Sequence, residues 1–220
     1  MDRLRLAGTL ILVAPIQFII GVVIAESVYP GYSVNQNYLS DLGATVRFTD
    51  GDVSIIIQQP ASAIFTAILI IMGALTLAAA YLMFATAKSR RPVVLMGLFG
   101  LGALGAGIFS EVFYPTHGIF SAIAFVFGPL AAIDSFRLEK RPMNYVSPIL
   151  GLVALVALSL FLGIAGYGLP PVYTPLGLGG MERMIVYPTV LWLVTFGASL
   201  IAAPERVAKT AQIATDNHDH

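Results

Sequence analysis

A chain of 220 residues with 57% hydrophobic and only 11% charged residues, and a mean hydropathy of +0.84, lies far outside the composition of a water-soluble domain. Twelve Lys and Arg balance twelve Asp and Glu, so the net charge gives no reason to expect a nucleic-acid partner. The absence of cysteine excludes disulfides, thiolate metal sites and a cysteine nucleophile.

Six apolar stretches are long enough to cross about 30 Å of hydrocarbon, which takes about 20 helical residues. They run near Leu6–Ala25, Ala61–Ala85, Pro92–Phe109, His117–Ile133, Tyr145–Ala165 and Met184–Ala203. The sequence therefore predicts an all-α fold, a polytopic membrane bundle of six helices over residues 1–210. A disordered cytoplasmic tail is expected over 211–220, where His218 and His220 read as solvated.

The first stretch follows Arg3 and Arg5 and ends at Val23-Ile24-Ala25, which has the look of a signal peptide. An apolar run of about 20 residues is longer than the usual roughly 7–15 and favours a retained anchor. Next comes a long loop, Ser27 to Pro60, with turn chemistry and interfacial tyrosines in Tyr29-Pro30-Gly31-Tyr32-Ser33. Within it Ser40-Asp41 can cap a short helix over Leu42–Val46, and Asp52 a turn through Ile55-Ile56-Ile57. A loop this long in a compact protein is usually a lid or a functional segment.

The third stretch carries Gly97, Gly100, Gly102, Gly105 and Gly107, small residues that let helices approach closely in lipid, and is expected at the centre of the bundle. Pro115 makes the third and fourth stretches a hairpin, and Pro15, Pro129 and Pro188 are expected to kink their helices. Asp134, beside Ser135 and Arg137, reads as a snorkelling interfacial group, and Trp192 as a core residue.

Positive charge sets orientation. With the N-terminus inside, Arg3, Arg5, Lys88, Arg90, Arg91, Arg137, Lys140, Arg141, Arg206 and Lys209 fall on the cytoplasmic side, and only Arg47 and Arg183 outside. This predicts a multi-pass protein of the cell membrane with both termini cytoplasmic. The bilayer itself is then the first partner.

Ionisable groups at membrane depth are costly and mark sites by default. Glu26, Asp41, Glu111, His117 and the pair Glu182-Arg183 all map to the outer face. Glu111 and His117 stand on opposite arms of one hairpin, which makes a carboxylate and an imidazole available for proton transfer. A metal reading would add Asp41, Glu26 or Glu182, yet no metal-site spacing such as H-E-x-x-H is present, and the sequence leaves any cofactor unknown. In an architectural reading, Arg183 pairs with Glu111 or Asp41 and holds the loop over the bundle. Arg183 near a helix N-terminus also suits a lipid phosphate.

Three blocks resemble a known family, the membrane proteins called domain of unknown function 998. They are Asn37-Tyr-Leu-Ser-Asp-Leu-Gly-Ala44, Ser110-Glu-Val-Phe-Tyr-Pro-Thr-His-Gly118, and Gly180-Met-Glu-Arg183 leading to Trp192. Thr66 departs from the asparagine expected in related sequences. The resemblance implies a six-helix bundle, no established activity, and attention to Asp41, Glu111, His117, Glu182 and Arg183. The expected site thus has Glu111, His117 and Asp41 as catalytic groups, and Arg183, Glu182, Asn37 and Ser40 as binding groups. It would bind, and in an enzymatic version hydrolyse, a lipid or other amphiphile. The alternatives are a small transporter, which calls for a midplane site and related halves, and a scaffold for another membrane protein.

Overall fold

The computed structural model describes residues 2–49, 52–167 and 175–208, with no account of the side chains of Phe48, Thr49, 164–167 and Arg206. The expected tail lies outside these residues. Six helices form: α1 (Arg3–Val28), α2 (Ala61–Phe84), α3 (Arg91–Ile108), α4 (Thr116–Asp134), α5 (Met143–Tyr167) and α6 (Gly177–Ala202). All six are long and apolar enough to cross a membrane. Their outward faces carry exposed Ile20, Val23, Ile149, Leu152, Val156 and Leu160. In water such a surface would aggregate, whereas lipid tails solvate it without cost.

Each helix packs against its neighbours in the chain, and α6 closes against α1. Because α4 also touches α6, α5 lies outside those two, and the other five helices surround a common interior. Lipid offers no hydrophobic force to join helices, so close packing must do it, and small residues stand at nearly every joint. A Cβ on Gly197 would come within 2.9 Å of the Gly8 carbonyl across α1 and α6, and one on Gly73 within 2.7 Å of the Gly100 carbonyl across α2 and α3. Gly102 likewise faces the Phe120 carbonyl of α4 at 2.8 Å, and Gly151 of α5 faces the Pro129 carbonyl. The glycines of α3 are thus packing positions toward both α2 and α4. The helix itself takes a place in the wall between them rather than the central place expected.

Two expected turns in the long loop are replaced by strands. Instead of helices at Leu42–Val46 and Ile55–Ile57, a 3-10 turn at Ser40–Leu42 leads into a hairpin of β1 (Thr45–Thr49) and β2 (Asp52–Ile56), paired from Thr45 with Ile56 to Thr49 with Asp52. The residues are mostly β-branched and alternate in character, which suits a two-stranded ribbon. Asp134 does not snorkel. It is 5% exposed, with Arg137 Nε at 2.7 Å and Arg91 Nε at 3.5 Å. Trp192 is buried at the same end, stacked on Phe196 and donating to Ser135 Oγ at 3.0 Å.

Candidate functional site

The segment from Tyr29 to Ala44 folds back over one end of the bundle. A loop lying on a helix end must satisfy its backbone groups locally, and here charged side chains of α6 do so. Arg183 Nη1 donates to the carbonyls of Val34 at 3.0 Å, Asn37 at 3.1 Å and, within α6, Gly179 at 2.9 Å. Its Nη2 donates to Glu26 Oε1 at 2.6 Å and to Tyr32 Oη at 2.5 Å. The Tyr32 hydroxyl in turn donates to the Tyr38 carbonyl at 2.8 Å. Burial holds the Tyr32 phenol well above its ordinary value, so it remains a donor. Gly179 lets the loop come this close, because a Cβ there would meet the Val34 carbonyl at 2.6 Å. Gly177 opens the helix at φ +66, which side-chain-bearing residues rarely adopt.

Glu182, one position earlier, turns the other way. It is 6% exposed and its Oε2 accepts the Leu39 amide at 2.5 Å. Asp41 Oδ2 accepts from the Tyr38 amide at 2.9 Å and from Asn37 Nδ2 at 3.1 Å, so the Asn37–Asp41 turn is self-braced. Ser40 Oγ reaches across to Glu111 Oε1 at 2.5 Å.

Glu111 sits in a 3-10 turn (Glu111–Phe113) between α3 and α4, and His117 in the first turn of α4. Burial, reinforced by the charge of Asp41, raises the Glu111 carboxyl to about 7, against the opposing pull of the Ser40 hydroxyl. His117 does not bond to Glu111. Its Nδ1 faces the carbonyls of Phe109 at 2.7 Å and Ala106 at 3.2 Å, and its Nε2 faces Ser121 Oγ at 3.2 Å.

Three spaces meet here. The interior of the bundle holds an apolar cavity of about 60 Å³, floored by Phe18, Phe65, Met72 and Phe99 and roofed by Leu39 and Ser40. A second, of about 280 Å³, runs between α4 and α5 past Gly118, Ala122, Phe125, Leu158 and Phe161 and ends at Ser40, Glu111, His117 and Glu182. A third, of about 470 Å³, is polar, bounded by Gln36, Asn37, Tyr38, Asp41, Arg47 and Glu111. Glu111, Tyr38 and Tyr114 border both of the larger two.

The structure therefore brings Ser40, Glu111, His117 and Glu182 to one cavity, and Asn37, Asp41 and Glu111 to the adjoining one. Arg183 borders none of the three, and its partner is Glu26 rather than Glu111 or Asp41. Among the described residues no three His, Asp or Glu side chains gather closely enough to hold a metal ion. Sequence reasoning overlooked Ser121, for which the spacing His117-x-x-x-Ser121 on one helix face was the available signal. It also overlooked Tyr32, which only the folded loop brings to Arg183.

No curated protein and no solved structure matches the chain. A family model described as protein of unknown function (DUF998) matches residues 12–199. Six membrane-crossing helices and a match over most of its length make the chain a multi-pass membrane protein that belongs to the DUF998 family.

Proposed function

We propose that the protein binds a single amphiphile at its loop-bearing end, with the chain lying between α4 and α5 and the polar end against Ser40, Glu111, His117 and Glu182. The observation that carries this reading is the 280 Å³ cavity, whose helix walls are apolar and whose inner end is polar. Val126 of α4 and Leu162 of α5 line it and are themselves exposed on the apolar outer surface, which offers a lipid a route that does not cross water. The bias of Lys and Arg toward the opposite end makes the loop-bearing end the outer face.

The charges select the headgroup. Glu111 and Glu182 face the cavity, Asp41 stands behind, and among the described residues neither Lys nor Arg borders it. Arg183 is consumed by the loop and Glu26. An anionic phosphate would meet carboxylates without a compensating cation, whereas a hydroxylated or amine-bearing headgroup would find acceptors. A carrier would place its polar groups near the midplane, but here they gather at one end.

The test is native mass spectrometry of the protein released from nanodiscs holding a glucosyl diacylglycerol, phosphatidylethanolamine and phosphatidylglycerol in equal amounts. Retention of the glucosyl or amine lipid over phosphatidylglycerol, lost in Ala122→Trp, is the expected result. Preferential retention of phosphatidylglycerol, or the same lipids on the Ala122→Trp variant, overturns the reading.

A further inference from the structure

We infer that Ser121 and His117 form a nucleophile and general-base pair in the α4 wall of this cavity, able to cleave a carboxylic ester of an amphiphile bound there. The inference rests on the binding reading above and adds a reaction to it.

Two acceptor carbonyls, of Phe109 and Ala106, face His117 Nδ1, and a carbonyl cannot donate. The proton of the neutral ring is therefore on Nδ1, an assignment made from the partners. The lone pair of Nε2 then points at Ser121 Oγ, 3.2 Å away, and the hydroxyl is the donor. In a serine hydrolase a carboxylate usually fixes the imidazole in this tautomer, and here two carbonyls stand in that place. They also favour the imidazolium that forms when the base takes a proton.

The hydroxyl of Ser121 differs from several others in these helices, although Ser62 of α2, which donates to the Gly43 carbonyl, also bonds outside its own helix. Thr9, Thr76, Ser159 and Thr189 each return their proton to the carbonyl four residues back in their own helix, the ordinary solution in lipid. Ser121 makes no such bond and gives its proton to the imidazole instead. Both side chains border the 280 Å³ cavity and the interior one, so the pair is open to a ligand on the cavity side. Ser40 borders the same space, with its hydroxyl proton given to Glu111 Oε1.

The step balances without a cofactor. Ser121 Oγ bonds to the ester carbonyl carbon as its proton passes to His117 Nε2, and the C–O bond to the alcohol portion breaks, with that oxygen taking the proton. Water then attacks the acyl carbon and gives a proton to Nε2. The bond to Oγ breaks and the proton returns to Ser121, releasing a carboxylic acid.

A long-chain alkyl fluorophosphonate tests this on the full chain in nanodiscs. The expected result is one covalent adduct, mapped to Ser121 by peptide mass spectrometry and absent from Ser121→Ala. In a folded His117→Gln variant the labelling rate should fall about 100-fold or more. No adduct on Ser121 of the folded protein, or an unchanged rate in His117→Gln, overturns the pair. Should His117→Gln fail to fold, Ser121→Ala decides alone, since an adduct that persists in it overturns the pair. If the adduct is absent while the glucosyl or amine lipid is still retained, only the pair falls. If neither the adduct nor the lipid is seen, both readings fall.

Discussion

Arg183 Nη2 lies 2.6 Å from Glu26 Oε1, so an arginine 5% exposed joins the start of the last helix to the end of the first. The same guanidinium holds two carbonyls of the loop. Removing Arg183 leaves Glu26 charged and unpartnered, and because Glu26 is 21% exposed the cost falls below the roughly 3–5 kcal/mol of a fully buried pair. Arg183→Met should therefore lower the unfolding midpoint in detergent sharply. Arg183→Lys should recover little, because one ammonium cannot serve the acceptors of the planar fork. Equal stability of Arg183→Met and the parent protein would remove this contact from the account of the fold.

The Glu111 carboxyl stands at about 7 when folded and near its ordinary value of about 4.5 when unfolded. The folded state binds the extra proton, so its contribution is complete below about pH 4.5 and is lost as pH rises through about 7. Asp41, Tyr38, His117 and Glu182 are the titratable groups around it, with Arg47 across the polar cavity. Glu111→Gln, neutral at every pH and still able to accept from Ser40, should be more stable than the parent at pH 8.5, by about 2 kcal/mol. At pH 4.5 the two should coincide. Unfolding midpoints across this range check the sign, and a variant destabilised throughout would refute it. The same variant should keep its fold and lose lipid retention.

Gly73 and Gly197 bring backbones together. A Cβ at Gly73 would fall within 2.7 Å of the Gly100 carbonyl, and one at Gly197 within 2.7 Å of the Leu12 amide nitrogen. Gly73→Val and Gly197→Val should each destabilise the bundle by about 2 kcal/mol or more, since neither neighbour is a side chain that can swing away. Gly118, with only the Tyr114 ring within 3.9 Å, should tolerate alanine. Thermal unfolding of the three variants side by side checks the contrast.

Trp192→Phe keeps most of the ring volume but leaves Ser135 without its indole donor. A loss of about 1 kcal/mol is expected. A loss above about 3 kcal/mol would mean that ring shape, and not the hydrogen bond, dominates at this position.

The six spans were legible because lipid demands long unbroken apolar helices, and each stretch met that demand from local composition alone. The β1–β2 hairpin was less so, although Asp50-Gly51 between two β-branched runs is a hairpin signature in any sequence. Gly177-Leu-Gly-Gly reads as a helix breaker, yet α6 begins there. Those glycines answer to the loop packed on them, which local sequence does not show. The same distance hid the partner of Arg183. Glu26 and Arg183 are 157 residues apart, and nothing near either one says which carboxylate will reach the guanidinium. Ser40, Glu111, His117 and Glu182 were each visible as polar groups at one end, but their gathering at one cavity depends on the path of the loop.

The ring closes only when α6 meets α1, and this has a consequence for synthesis. Glu26 leaves the ribosome with the first span and waits, a carboxylate at the membrane with no partner, until Arg183 arrives with the last one. A nascent chain stopped after α5 would still expose that carboxylate, the bare flank of α1 with Gly8, and the loop carbonyls that Arg183 collects. The final helix thus acts as proof of completeness.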